Sequence, residues 1–547
     1  MAEQTKEWLV SFDTDRIKNY IFATNNLKEI RGASAILVEQ DSIREEVLDK
    51  LPPEERLKGE RIYSAGGGGA FLVVSDEEPQ KLIEQIERDF RHATKTGSIT
   101  AVCVPLERNW ESLWFGKNMD KAAKKLQQRK SRKGELGVLP VEPYMRLCDA
   151  CGNRPAEKRF EKDASGDLLC ESCRCKRERG MDVRKASFAE GFVAQFKKYA
   201  QKFPNYKVWE EARPPHDLNE LGSLDSNGYI GFLMIDGNQM GKLLSLMETK
   251  ERYLKYSEKL KTKVSEIVFE VLGKVTTPIH GVLPFEIVLV GGDDVMLFTT
   301  ANSAPILTTK ILEKFEAESL EILQAAGLLR EDLWERLEKA YSEEEISIAR
   351  DEPFLIHKKL TMAAGLVLCH SNYPVPTIVE IGERLLKNAK KKCAERKIHY
   401  QQGAIDFQVI TGSATDLDLA RAMVPHNRPY TRTDMEKLVR HAQGFYEQRF
   451  PKNQLQMLYD ACHRQSQGHG TIAALSAIAR LKKRDHRRVL REFFREFSPE
   501  GESFLYWPWR LVEKIKDTGE TELKTALVDL VDLYDFVKKE TDHGKSH

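Results

Sequence analysis

The sequence predicts an α+β multidomain protein built around an internal duplication. Three observations predict it. A strand–helix–hairpin–strand–helix order occurs twice, two close cysteine pairs lie between the copies, and the last part of the chain is helical in pattern throughout. At roughly 150 residues per domain, 547 residues make three or four domains. Hydrophobic residues form 41% of the chain, enough for several packed cores.

The first copy opens with the apolar run Trp8-Leu9-Val10-Ser11-Phe12, which ends at Asp13 and leads into a helix-like stretch from Arg16 to Ile21. The second opens with Phe232-Leu233-Met234-Ile235, ends at Asp236, and continues with Met240, Leu243 and Leu244 on one helical face. Downstream, Arg61 to Val73 and Glu286 to Phe298 are each two β-rich runs around a glycine-rich turn, a hairpin signal. The offsets agree: 55 residues from Asp13 to Gly68, and 57 from Asp236 to Asp293. A third element follows in both copies. Thr100 to Pro105 reads as a strand before a basic helix around Lys121 to Lys130, and Thr361 to Cys369 as a strand before one around Thr377 to Lys397. This order describes a ferredoxin-like palm. Two palms are expected, at 1–135 and 226–412, the second with a helical insertion from Pro305 to Tyr341. A zinc-binding helical module at 136–225 and a helical C-terminal domain at 413–547 complete the chain.

The second palm carries the chemistry. Joining nucleotides requires a 3′-hydroxyl in line with an α-phosphate and a pyrophosphate able to leave. Two divalent ions about 3.5–4 Å apart stabilise both oxygens. Mg²⁺ prefers carboxylate oxygens and keeps waters, so two or three carboxylates suffice. Asp236 at a strand end and Asp293-Asp294 at a hairpin tip are neighbours in a palm, and they are the expected catalytic residues and Mg²⁺ (or Mn²⁺) ligands. Gly291 and Gly292 permit positive φ and a close approach of the backbone to a triphosphate. The first palm has Gly68 and Gly69 where the second has Asp293 and Asp294, so it is read as degenerate. Asp13 and Asp15 are expected to cap the following helix. Lys390, in a basic helix, is a candidate for the triphosphate.

Cys148-x-x-Cys151 and Cys170-x-x-Cys173 are separated by 18 residues. Two such pairs give a tetrahedral, closed and therefore structural Zn²⁺ site, with Cys175 as an alternative ligand. Cys103, Cys369, Cys393 and Cys462 stand singly in apolar or helical patterns and read as core or surface thiols.

Lys plus Arg is 85 and Asp plus Glu 84, so a net charge of +1 does not announce a nucleic-acid binder, and any basic surface is local. No apolar run approaches the roughly 18 residues of a membrane span, and Met1 to Glu7 is polar without a signal core. A cytoplasmic protein is expected. His216-Asp217 follows Pro214-Pro215 and reads as a loop rather than a phosphohydrolase centre. In the helical end, Leu475, Ile478, Leu481, Val489, Phe493 and Phe494 recur at helix spacing. The basic run Arg480 to Arg495 reads as a solvated face ahead of an RNA contact, and Leu505 to Trp509 as core or a docking surface.

The chain resembles the large palm-containing subunit of type III CRISPR effector complexes, of the Cmr and Csm kind. The resemblance rests on Asp15 to Thr24, Glu29 to Ser34, the four-cysteine segment, Ile235 to Gly241, Gly291 to Asp294, and Ala404-Ile405-Asp406-Phe407. It implies a cyclic oligoadenylate synthase that uses ATP and is switched on when guide RNA pairs with target RNA. Metal ligands carry onto Asp236, Asp293 and Asp294, and the nucleotide contacts onto Ile235, Gly237, Asn238, Gly291, Gly292 and Lys390. Partner subunits hold the guide, and the helical end meets a small helical subunit. Many family members begin with an HD nuclease domain that is not seen here, so nucleotide signalling is the expected output. A different adenylated messenger, such as an AMP conjugate of a metabolite, also fits. The rival readings are a diguanylate cyclase, disfavoured because Val295-Met296 follows the aspartates, and a non-enzymatic scaffold, disfavoured by the intact carboxylates.

Overall fold

The computed structural model describes residues 6–43, 58–65, 67–106, 115–133, 144–183, 191–225, 228–329, 333, 335, 338, 358–396, 401–412, 417, 421, 425–464, 467–497, 510–512 and 522–537. Strand β1 (Lys6–Asp15), β2 (Lys58–Ala65), β3 (Gly68–Ser75) and β4 (Ser98–Pro105) form one antiparallel sheet in the order β2-β3-β1-β4. Two short strands, β5 (Lys158–Arg159) and β6 (Leu168–Leu169), pair in the cysteine-bearing segment. The second sheet has β7 (Tyr229–Gly237), β8 (Phe285–Gly291), β9 (Asp294–Thr300), β10 (Met362–His370), β11 (Ala404–Ile410) and β12 (Tyr430–Thr431), in the order β12-β11-β10-β7-β9-β8. Its last four strands repeat the order of the first sheet, so the duplication is visible in topology. β11 extends the second sheet by parallel pairing with β10.

Both first strands are buried on two faces. Leu233 and Ile235 of β7 enter one core, while Ile230, Phe232 and Met234 enter the other. Each palm's first long helix bridges the two hairpins: Leu27–Ile43 and Lys250–Val275 both pack on β2 and on β8. Both outer hairpin strands carry a bulge at matching places, between Arg61 and Tyr63 and between Ile287 and Leu289. A bulge leaves a backbone group outside the ladder. The hydroxyl of Ser34, from the first palm, donates to the carbonyl of Val288. Three residues away along the same helix, Arg31 forms a buried ion pair with Glu286, with Nε to Oε1 at 2.8 Å.

Two expectations change. The helix Ala304–Ala325 lies between β9 and β10, where Gln80–Thr94 lies between β3 and β4. It is therefore the palm's own second helix rather than an insertion, and its greater length disguised the equivalence; most of its expected continuation to Tyr341 lies outside the described residues. The register shifts the glycine match by one. Asp294 pairs with Gly291 across its turn, and Gly68 with Ala65. Gly67 and Gly68, not Gly68 and Gly69, thus stand opposite Asp293 and Asp294.

Helices Arg432–Glu447, Lys452–Arg464, Gln467–Arg480 and Arg484–Phe497 form the end, with Ala526–Tyr534 packed on the first two. Ile478, Leu481, Val489, Phe493 and Phe494 are buried, whereas Leu475 is exposed. Arg484, Arg487, Arg488, Arg491 and Arg495 face outward, as a solvated surface requires. Arg428 holds the last helix through Asp529, with Nε to Oδ1 at 2.7 Å, and through Asp532. Leu505 to Trp509 lie outside the described residues. No helix among the described residues is long and apolar enough to cross a membrane.

Candidate functional site

The carboxylates of the second palm gather where β7 ends and the β8–β9 hairpin turns. Ile235 is fully buried and pairs with Val295 and Ala364, which fixes the strand end beside the hairpin tip. Gly292 has φ 62°, a conformation that disfavours any side chain, and it lets Asp293 turn back toward β7. Gly291 closes the turn by pairing with Asp294. Gly237 makes room for Asp293: a Cβ there would lie 2.6 Å from the Asp293 Oδ2. Asn238 points away from the carboxylates. Its amide N–H donates to the Thr361 carbonyl at 2.9 Å and its Nδ2 to the Thr361 hydroxyl at 2.9 Å, which ties the loop after β7 to the start of β10.

Electrostatics mark the site. Burial, then the negative charge of Asp236, push Asp293 up to about 6 and Asp294 up to about 7. Asp236 lies close enough to Asp293 to help raise it. Lys390 Nζ, from the helix Val375–Arg396, donates to Asp236 Oδ2. That helix lies close to the sheet because Gly365 and Gly382 meet: a Cβ on Gly365 would stand 2.5 Å from the Gly382 carbonyl oxygen. The three aspartates are adjacent but not drawn together into a ready ion cluster; among the described residues only four cysteines are. Two sequence-legible groups, the carboxylates and Lys390, thus come together. Two others were missed. The Tyr256 hydroxyl sits under Met240, 3.4 Å from its sulfur and within the field of Asp293. Lys18 reaches across from the first palm, and its charge partly offsets the rise of Asp294.

The first palm shows the same frame without hairpin carboxylates. Asp13 and Asp15 do not cap the next helix, whose N-cap is Arg16 with no side-chain bond. Asp13 accepts from Lys130 Nζ at 2.6 Å, the counterpart of the Lys390 contact. Asp15 accepts from the hydroxyls of Ser98 at 2.7 Å and Thr100 at 2.8 Å. His216 and Asp217 lie in a loop as expected, with Asp217 capping the helix Leu218–Ser223.

The Sγ atoms of Cys148, Cys151, Cys170 and Cys173 all lie within 4.8 Å of one another, a set that suits a tetrahedral Zn²⁺. Cys175 is not among them. Hydrogen bonds between the crowded sulfurs lower Cys148 and raise Cys173. The helix after the second pair, Glu171–Val183, docks on Leu27–Ile43 through facing glycines. A Cβ on Gly32 would be 1.7 Å from the Lys176 carbonyl oxygen, and one on Gly180 1.9 Å from that of Lys28. Arg177 and Glu29 form a buried ion pair beside this crossing. Cys103, Cys369 and Cys393 are buried core thiols; the side chain of Cys462 lies outside the described residues.

Residues 229–398 match the family model described as Cas10/Cmr2, second palm domain. No curated protein matches the chain. Among solved structures, the Csm1–Csm4 cassette in complex with AMPPNP is similar over 97% of this chain and 70% of that chain, with TM-score 0.53 and 15% identity. The same cassette in complex with cA4 covers the same shares, with TM-score 0.51 and 13% identity. Csm1 in T.onnurineus is similar over 98% of this chain and 70% of its own, with TM-score 0.53 and 13% identity. Residues 229–398 are thus similar to a Cas10/Cmr2 second palm, and across nearly its whole length the chain has the fold of Csm1.

Proposed function

We propose that the chain is the nucleotidyltransferase subunit of a type III CRISPR effector complex, and that it joins ATP into cyclic oligoadenylate. The observation that carries this reading is the meeting of Asp236, Asp293, Asp294 and Lys390 within the region that matches the family model. Solved relatives in complex with AMPPNP, pppApApA and cA4 support the choice of adenine nucleotides. The Csm1–Csm4 pairing in those structures supports a neighbouring subunit of that kind, with guide and target RNA as the further partners.

In this reading Asp236 and Asp293 would hold Mg²⁺ (or Mn²⁺), with Asp294 completing the charge. The metal would lower the barrier by stabilising the attacking and leaving oxygens. Lys390, on Asp236 in the metal-free protein, stands where its ammonium could turn to the triphosphate. The 3′-oxygen of one nucleotide bonds to the α-phosphorus of the next, the bond to the β-phosphate oxygen breaks, and pyrophosphate departs. The hydroxyl proton passes to water. Gly237 and Gly292 keep side chains out of the space that the phosphates need. Zn²⁺ at the four cysteines has a structural role.

The test is product analysis. The protein, alone and assembled with guide and matching target RNA, is incubated with labelled ATP and Mg²⁺ beside an Asp293→Ala/Asp294→Ala variant. Oligoadenylate that falls at least a hundredfold in the variant supports the reading. An AMP adduct formed only with an added metabolite keeps the site and changes the product. No variant-sensitive nucleotide product under any condition leaves a scaffold.

A further inference from the structure

The duplicated frame allows each residue at one palm's site to be compared with its counterpart at the other. Five residues after Asp13 stands Lys18, and five after Asp236 stands Gly241. The equivalence is structural as well as numerical. The residues three past each aspartate, Arg16 and Gln239, both adopt the left-handed conformation, at φ 48° and 59°, and each begins a short helix. The helix Ile17–Ile21 of the first palm leans into the second palm's site. The Lys18 ammonium lies 3.6 Å from the sulfur of Met234, two residues before Asp236 on the same face of β7. It pairs with Glu383 at 3.1 Å, on the helix that carries Lys390 two turns later.

The segment is held in place from both sides. Phe22 closes the helix with its N–H on the Lys18 carbonyl at 2.8 Å. Its ring packs edge-on against Phe232 at 5.8 Å and Phe298 at 6.4 Å, both in the second palm. Lys176, from the cysteine-bearing module, donates to the Tyr20 carbonyl. At the matching position of the second palm, a Cβ on Gly241 would meet nothing within 4 Å, so the space is open and a side chain is simply missing. The first palm thus places a cation beside the hairpin carboxylates of the second, at a position where the second palm has only a glycine.

A palm-to-palm ion pair with Glu383 alone does not account for this. Glu383 is 48% exposed, so the pair is weak in water. Lys18 is 27% exposed, which leaves its ammonium reachable from the cleft. A triphosphate brings about four negative charges to a place that already holds three carboxylates, and Lys390 alone does not balance them.

We infer that Lys18 is a nucleotide-phosphate-binding residue that the first palm supplies to the second, exchanging Glu383 for a phosphate oxygen when the nucleotide enters. This rests on the nucleotidyltransferase reading above and deepens it: the degenerate palm contributes a group to the reaction, and the site is complete only while the two palms are docked.

The test compares wild type, Lys18→Ala and Lys18→Arg in the RNA-activated assembly. Three quantities are measured: equilibrium binding of a non-hydrolysable ATP analogue with Mg²⁺, the KM and kcat for ATP, and the melting temperature. A lost charge-assisted contact corresponds to roughly ten- to hundredfold in affinity. The expected result is weaker analogue binding and a raised KM of that size for Lys18→Ala, an unchanged melting temperature, and recovery of most binding by Lys18→Arg. Unchanged binding and KM in Lys18→Ala overturns the inference, as does a parallel loss of binding and melting temperature that Lys18→Arg does not repair. An inactive wild type that also fails to bind the analogue instead sinks the nucleotide reading itself.

Discussion

Asp293 and Asp294 hold their protons later than free carboxylates do, and the cause is burial reinforced by the charge of Asp236. An unfolded chain releases these protons near pH 4. Between there and about pH 7 the folded metal-free state binds more protons than the unfolded one, so its stability falls as pH rises through that window. Replacing Asp294 with Asn removes the late ionisation. Thermal scans without metal should show Asp294→Asn melting above wild type at pH 8 and close to it at pH 5. Metal needs ionised ligands, so isothermal titration should find Mg²⁺ affinity rising from pH 5 to pH 8. A flat profile would remove the carboxylates from the metal site. The aspartates and Lys390 were legible in the sequence because a repeated Asp, a Gly-Gly-Asp-Asp turn and a basic helix recur in fixed order. Lys18 was not, because its meaning depends on a neighbour more than two hundred residues away.

The helix Glu171–Val183 touches Leu27–Ile43 backbone to backbone at Gly32 and Gly180. A methyl group at either position has backbone, not a movable side chain, in its way. Gly32→Ala should therefore cost at least about 1–3 kcal/mol, the range for overpacking a core, measured by urea unfolding. Because the four thiols sit at the base of the same helix, a zinc chelator should lower the melting temperature of wild type. The drop should be smaller for a Gly32→Ala protein that is already undocked. The cysteine pairs announced this element by spacing alone; the glycine crossing left no sequence signal, since a lone Gly in a helix reads as mere weakness. The hairpin register failed for a related reason. Gly66 to Gly69 presents no alternation of side chains to fix the pairing, and only β1 and β4 decide it.

Across the molecule, the two palms are clasped by helices that bridge both hairpins. Arg31 and Glu286 are almost wholly buried and join the palms at the strand that leads to the Gly-Gly-Asp-Asp hairpin. Removing one partner of such a pair leaves a buried charge, so Glu286→Ala should cost about 3–5 kcal/mol. The loss should show in denaturant unfolding, and an exposed control at Glu60, which pairs with Lys250 at the related position, should shift it by less than about 1 kcal/mol. The duplicated order of elements gave this architecture away in the sequence, but the clasp itself did not, because no local pattern tells which palm a helix will cover. The clasp also sets a schedule for the newborn chain. Ser34 and its acceptor Val288 are 254 residues apart, and at about 5–20 residues per second a ribosome needs roughly 13–50 s to make that span. Throughout that interval the face of the first palm's helix that will meet β8 stands open, a half-built surface waiting for the second palm.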